Sequence, residues 1–417
     1  MKHRVSPADL SGKIPAIASK SDAHRRLILS CFADAPTDFV LNGASDDINA
    51  TIDCIKSLGA AVTKTDDGVR VTPGSVPAEV FINANESGST LRFLLPVALA
   101  KCEKAHFTGA GRLPERPLTH LINAMKSGGV SFSSDKIPLT ATGKIKSGVY
   151  TVPGNISSQY VTGLLMALPL IDGDSEIVVE GELASKAYVD ITLETMHDFG
   201  IKVQKTGRGY RVFGNQVPAS PGKMVIEGDW SNAAFFLAAG AIGNSGITVT
   251  GLDMASPQGD KNIVPLLEKF GAKAVVNDSS VTVRGGKLHA CEIDIGETPD
   301  LIAPLGAVAA FSEGKTVFYN ALRLRLKESD RIVTMKNLIL SLGGRAEEEE
   351  DKLIVYGGSV KGGECDGAND HRIVMAAAIA GAYSQNGVLI SGSEAVNKSY
   401  PGFFKDFELA GGKAHVV

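Results

Sequence analysis

Two kinds of apolar pattern alternate along the 417-residue chain. The first places apolar residues at helical spacing, with charged residues on the opposite face and a glycine at the end. It occurs at residues 52–59, 121–129, 191–200, 263–271, 332–343 and 403–411. The closing residues Gly59, Gly129, Gly200, Gly271, Gly343 and Gly411 recur every 68 to 72 residues. This predicts half-exposed amphipathic helices, each stopped by a left-handed glycine cap. The second kind is apolar almost all round, as in residues 163–170 and 233–241, and predicts a buried helix. Each of these six segments leads into a strand-like stretch ending at Gly43, Gly109, Gly181, Gly251, Asn320 or Gly392, spaced 66 to 72 residues apart. Short alternating stretches such as 69–71, 210–212, 281–283 and 353–355 read as hairpin strands. Six such units are too many for one core. Two domains of three units follow, each wrapping sheets around a helical interior.

Composition narrows the class. The chain has 46 glycines, 44% hydrophobic residues and a net charge of -4, so it is globular, and the extra glycine punctuates the repeats. Its longest apolar runs, such as 233–243 and 373–383, span about 11 residues against the roughly 20 that a membrane helix needs. The first residues lead into no apolar segment, so no secretory signal is expected. Cys31, Cys54, Cys102, Cys291 and Cys365 stand far apart and are odd in number, which points to reduced thiols in a cytoplasmic protein. No Cys or His spacing suits zinc, and no metal is expected. The acidic balance argues against nucleic acid as a partner.

The chemistry concentrates where the buried helices begin. Their entries are Ser19-Lys20-Ser21 with His24-Arg25, Glu86-Ser87-Gly88-Ser89 with Arg92, Ser157-Ser158-Gln159, Asp229-Trp230-Ser231-Asn232, Thr298-Pro299-Asp300 and Asn369-Asp370-His371-Arg372. Ser, Asp and Thr are ordinary N-caps. Lys20, Arg25, Arg92 and Arg372, however, oppose the helix dipole. They make sense beside a bound anion, which the free N–H groups of a helix start also attract. Two further basic clusters are Arg112 with Glu115-Arg116-Pro117, and residues 323–331. A helix beginning near Lys327 would put Lys327 and Arg331 on one face, with Glu328 beside Arg331; a solvated ion-pair helix fits the same pattern.

These motifs, with Ser185-Lys186-Ala187-Tyr188-Val189-Asp190, Glu227-Gly228-Asp229 and Lys398, fall in the order found in one family. Over essentially its full length the chain resembles the 5-enolpyruvylshikimate-3-phosphate synthase family of enolpyruvyl transferases. The resemblance implies an α/β (α+β) fold: a two-domain inside-out α/β barrel of six βαβαββ repeats, three per domain, with buried helices surrounded by sheets. It implies a discontinuous domain of residues 1–19 and 229–417, an inserted domain of residues 20–228, an active site in the cleft between them, and domain closure on substrate binding. The implied reaction transfers the enolpyruvyl group of phosphoenolpyruvate to the 5-hydroxyl of 3-phosphoshikimate and releases phosphate. It proceeds by addition and elimination through a tetrahedral intermediate, in chorismate and aromatic amino acid biosynthesis, without a cofactor.

By the same resemblance, Asp300 handles the proton of the target hydroxyl, and Glu328 or Lys20 protonates the methylene carbon. Lys20, Ser21, Arg25, Ser157, Ser158, Gln159, Ser185, Tyr188, Asp300 and Lys327 are implied contacts of 3-phosphoshikimate. Lys20, Gly88, Arg116, Gln159, Arg331, Arg372 and Lys398 are implied contacts of phosphoenolpyruvate. His371 packs against or positions Arg372. The family expectation is a cytoplasmic monomer with small-molecule partners only. Three motifs depart from the family pattern: Ile17-Ala18 precedes Ser19 where Pro-Gly is frequent, Glu86-Ser87-Gly88-Ser89 replaces a common Asn-Ala-Gly-Thr, and Arg323 stands where an Asn often contacts the shikimate phosphate. Glu86 sits where Arg116 could neutralise it. The alternative is the sister enzyme acting on UDP-N-acetylglucosamine, which commonly uses a loop Cys after the Arg116-type motif. Here no Cys occurs between Cys102 and Cys291.

Overall fold

A computed structural model describes every residue except Ser359. The chain forms two compact units: Met1–Ala18 together with Glu227–Val417, and Ser19–Ile226. Among the described residues, each contains six α-helices and three four-stranded sheets.

In the Ser19–Ile226 unit the helices come in three pairs: α1 (Lys20–Ser30) and α2 (Asp46–Ser57), α3 (Gly88–Lys101) and α4 (Thr119–Ser127), α5 (Ser158–Ala167) and α6 (Lys186–Asp198). The other unit repeats the scheme with α7 (Trp230–Ile242) and α8 (Ile263–Lys269), α9 (Ile302–Ala310) and α10 (Arg331–Ser341), α11 (His371–Tyr383) and α12 (Phe403–Leu409). The first helix of each pair is buried almost all round; in α9 every residue is buried. The second helix buries one stripe only, as the alternation of Lys, Asp and Glu requires. All six closing glycines have left-handed φ, from 69° at Gly200 to 99° at Gly271. At Gly59 the amide donates to the carbonyl of Lys56, and the next amide reaches back to Ile55. These bonds satisfy carbonyls the helix end leaves unpaired.

Every sheet has one parallel pair followed by two antiparallel pairs. Glu79–Asn83 runs parallel to Lys104–Thr108, which pairs antiparallel with Leu139–Thr142, which pairs antiparallel with Ser131–Phe132. In the three sheets built within residues 79–142, 149–212 and 292–356 the buried helix is the crossover of the parallel pair, so the order β-α-β-α-β-β follows the chain. In both units a distant segment closes the set. Lys223–Val225 supplies the parallel edge strand beside Thr37–Val40. Gly12–Pro15 does the same for Ile247–Thr250, and Lys2–Ser6 lies between Val388–Ser391 and Lys413–Val416.

One local expectation is corrected. No α-helix begins near Lys327. Leu322–Leu326 is a 3-10 turn, Lys327 is extended, and α10 starts at Arg331. The cap decides this: Asp330 Oδ1 accepts from the amide of Val333. Lys327 and Arg331 therefore share no helical face, although Glu328 does lie beside Arg331.

Candidate active site

In the Ser19–Ile226 unit, capping fixes where the helices begin. Ser19, Ser87 and Ser157 are the N-caps of α1, α3 and α5, each accepting an amide hydrogen from the first turn. Bonds among residues of the first two turns then tie neighbouring helices together. Arg25 of α1 donates from Nε to Thr192 Oγ1 at 2.8 Å and from Nη2 to the Tyr188 carbonyl at 2.7 Å, both on α6. Its Nη1 donates to the Ser21 carbonyl at 2.5 Å. Arg92 of α3 donates to Gln159 Oε1 of α5 at 2.9 Å, and Gln159 Nε2 donates to Ser89 Oγ at 2.9 Å.

Gly88 sits where the two arginines converge. A Cβ there would lie 2.7 Å from Nη1 of both Arg116 and Arg92. A helix start, two guanidinium groups and no side chain between them form a cradle for an anion. Arg116 follows the short turn Leu113–Glu115, and Arg92 Nη2 and Tyr160 Oη both donate to the carbonyl of Pro117. Lys20 is held by Asp47 Oδ2 at 2.8 Å. Ser158, the first residue of α5, is buried, and Ser185 has a left-handed φ of 53° at the start of α6. For a non-glycine residue that conformation costs about 1–2 kcal/mol, which marks a position held by its surroundings. Burial brings the Arg25 pKa down to about 10. Three of its five N–H groups are engaged within the unit, so up to two can reach a ligand.

In the other unit a charged cluster gathers at the starts of α7, α9, α10 and α11. Arg331, the first residue of α10 and 1% exposed, donates to Asp300 Oδ1 at 2.6 Å, Glu328 Oε2 at 2.6 Å and Asp370 Oδ2 at 2.9 Å. Arg372 donates to Asp300 Oδ2 at 2.9 Å, and Lys327 Nζ lies 3.6 Å from Asp300 Oδ1. Burial alone would raise the pKa of Asp300. Arg372 first, then Lys327 and Arg331, reverse this and hold the carboxyl well below its usual range. Burial would likewise raise Asp370, and Arg331 brings it down. Asp260 goes the other way, pushed up to about 6 by burial and then by repulsion from Asp300. Lys398 Nζ donates to the Asn369 carbonyl at 2.6 Å. His371 is buried beside Arg372, its Nδ1 3.9 Å from Asp370 Oδ1.

The expected site residues thus fall into two groups. Lys20, Ser21, Arg25, Gly88, Arg116, Ser157, Ser158, Gln159, Ser185 and Tyr188 lie in the Ser19–Ile226 unit. Asp300, Lys327, Glu328, Arg331, Arg372 and Lys398 lie in the other. Glu86 points its carboxylate at Gly111, and Arg323 donates to the Gly296 carbonyl. Three members of these clusters were not singled out from sequence as ligands, Asp47, Asp260 and Asp370, and Arg92 was read there as a cation beside an anion but given no substrate. Only Arg92 carried a usable signal, its unfavourable charge near a helix start. Among the described residues no group of His, Cys, Asp and Glu could hold a metal ion.

The family model for EPSP synthase (3-phosphoshikimate 1-carboxyvinyltransferase) matches residues 5–407. The chain belongs to the EPSP synthase family. It is 40% identical to the 3-phosphoshikimate 1-carboxyvinyltransferase of Clostridium kluyveri, over 98% of this chain and 97% of that one. It is also 40% identical to the protein of that name from Clostridium novyi, with the same coverage. Among solved structures, EPSP synthase from Acinetobacter baumannii superposes with a TM-score of 0.83 at 22% identity, covering all of both chains. The enolpyruvyl transferase NikO from Streptomyces tendae gives 0.80 at 14% identity, covering 99% of this chain and 98% of that one. These two likenesses speak for the EPSP synthase fold alone: two α/β units of three repeats.

Proposed function

We propose that the chain transfers the enolpyruvyl group of phosphoenolpyruvate to the 5-hydroxyl of 3-phosphoshikimate. The observation that carries this reading is the Asp300 cluster: one ionised carboxylate held by Lys327, Arg331 and Arg372, with Glu328 on the same arginine. The reaction needs a base for the hydroxyl proton, an acid for the enol methylene, and cations for a phosphate and a carboxylate.

In the addition step Asp300 takes the hydroxyl proton and the 5-oxygen bonds to C2 of phosphoenolpyruvate. Glu328 or Lys20 delivers a proton to C3, which becomes a methyl group. In the elimination step the group that protonated C3, Glu328 or Lys20, takes a methyl proton back, Asp300 returns its proton to the departing phosphate, the C–O bond to phosphate breaks, and the enol double bond re-forms on the new ether. Arg331 and Arg372 suit the substrate carboxylate or phosphate through paired N–H bonds. As they turn to the substrate they withdraw positive charge from Asp300, whose pKa rises and whose strength as a base grows. Lys20, Gly88, Arg116, Gln159 and Lys398 complete the phosphoenolpyruvate contacts. Ser21, Arg25, Ser157, Ser158, Ser185, Tyr188 and Lys327 serve 3-phosphoshikimate. The reading includes a monomer in the cytoplasm. Five free cysteines support a reducing compartment, and no helix among the described residues is long and apolar enough to cross a membrane.

The test is phosphate release from phosphoenolpyruvate with each acceptor. Release with 3-phosphoshikimate is expected. Release with UDP-N-acetylglucosamine alone would reject the assignment.

A further inference from the structure

A chain of hydrogen bonds ties α1, α2 and α3 together behind the anion cradle. His24 Nδ1 lies 2.7 Å from Thr51 Oγ1, and Thr51 Oγ1 lies 2.6 Å from Thr90 Oγ1. Thr90 Oγ1 donates to Ser87 Oγ at 2.7 Å, and Ser87 Oγ accepts the Thr90 amide at 3.2 Å as the N-cap of α3. A hydroxyl has one proton to give. Thr90 gives its proton to Ser87, so the proton between the threonines comes from Thr51. The proton between Thr51 and the ring must then come from His24. The imidazole therefore carries its hydrogen on Nδ1 and has a bare lone pair on Nε2.

Two observations agree with this direction. His24 Nε2 is buried and has no hydrogen-bond partner. Burial first, and then the charges of Lys20 and Arg25, drive the imidazole well below its usual pKa, so the ring is neutral. The Phe93 ring lies nearly perpendicular to the imidazole, at 83°, with the ring centres 6.4 Å apart. An apolar side chain would fill this site without leaving a bare nitrogen in the core, which is costly. What an apolar residue could not supply is the N–H at the head of the chain. His24 also stands one helical turn from Lys20, as Thr51 does from Asp47. The His24–Thr51 and Lys20–Asp47 bonds are thus parallel rungs between α1 and α2.

We propose that His24 is a positioning residue for phosphoenolpyruvate: as the obligate donor of the His24–Thr51–Thr90–Ser87 chain, it sets the N-cap of α3 and with it the first turn that carries Gly88 and Ser89. Gly88 is where Arg92 and Arg116 converge, and Ser89 holds Gln159. The proposal rests on reading Gly88, Arg116 and Gln159 as phosphoenolpyruvate contacts.

The test compares His24→Leu, which keeps bulk and loses the donor, with His24→Asn, whose amide N–H can replace Nδ1–H. In steady-state assays, His24→Leu should raise KM for phosphoenolpyruvate on the order of tenfold, the usual effect of a broken buried hydrogen bond. KM for 3-phosphoshikimate should stay within about twofold, and His24→Asn should restore most of the loss. Thr90→Val breaks the chain further along and should give the same split, which keeps the idea testable if His24→Leu does not fold. Equal rises in both KM values, an unchanged KM for phosphoenolpyruvate in a folded variant, or an Asn variant no better than Leu would overturn the proposal. Arg116→Ala separates the two layers: an unchanged KM for phosphoenolpyruvate there would sink the reading beneath it, whatever His24 does.

Discussion

Asp300 and Gly88 are the two residues whose surroundings make the sharpest demands. Asp300 is ionised because three cations outweigh its burial. Its contribution to stability follows from the sign. A depressed folded pKa gives stabilisation that is complete above the unfolded value of about 4 and is lost as pH falls through the lower folded value. Asp300→Asn should therefore destabilise at pH 7 and progressively less below about pH 4, measured as urea midpoints across pH. The same carboxylate should show in kinetics. If bound substrate draws Arg331 and Arg372 away, the acid limb of kcat should lie at higher pH than that of kcat/KM. Superimposable limbs would count against the exchange. At Gly88 a methyl group would press on Nη1 of Arg92 and Arg116. Long side chains can yield, so the cost falls on their aim. Gly88→Ala should raise KM for phosphoenolpyruvate on the order of tenfold with little change in melting temperature. Much of this site was readable only in part. Lys20, Arg92 and Arg372 betray themselves by opposing a helix dipole. Asp47 and Asp260 do not, because a single acid in a polar stretch has no period and its partner lies elsewhere in the chain.

At the scale of elements, the regular spacing of closing glycines and the two grades of helix amphipathicity were legible, because each reflects a local steric or burial requirement. Strand partners were not. Nothing in Lys223–Val225 points to Thr37–Val40, since their pairing is made by backbone groups common to all residues. The helix expected at 332–343 begins at Arg331, and the alternative start near Lys327 fails because one Asp cap decides the boundary while alternating charges at 323–331 only mimic helical pairing. Close helix packing makes a prediction of its own. Gly163 in α5 would place a Cβ 2.5 Å from the backbone carbonyl of Arg92 and 3.0 Å from the Pro96 ring. Alanine is favoured over glycine inside a helix by about 1 kcal/mol. Overpacking against backbone costs about 1–3 kcal/mol, so the clash should win. Gly163→Ala should lower the thermal midpoint. A higher midpoint would mean that α3 and α5 can separate freely.

For the whole molecule, the division into two units predicts calorimetry that a single two-state transition does not fit. Eight of the ten residues assigned to 3-phosphoshikimate lie in Ser19–Ile226. That ligand, at about 100 times its Kd, should stabilise the unit by roughly 2.7 kcal/mol and shift one transition more than the other. Equal shifts would argue against the assignment. The closing strands also set a timetable for synthesis. Lys223–Val225 is the last piece of its unit's first sheet, so that unit can complete itself once residue 226 has emerged from the ribosome. Lys2–Ser6 is made long before both its neighbours, Val388–Ser391 and Lys413–Val416. These paired segments must find each other across more than 380 residues. Contacts of such long sequence separation form slowly. Until Lys413–Val416 has emerged, the Lys2–Ser6 strand is an open edge for a chaperone to cover.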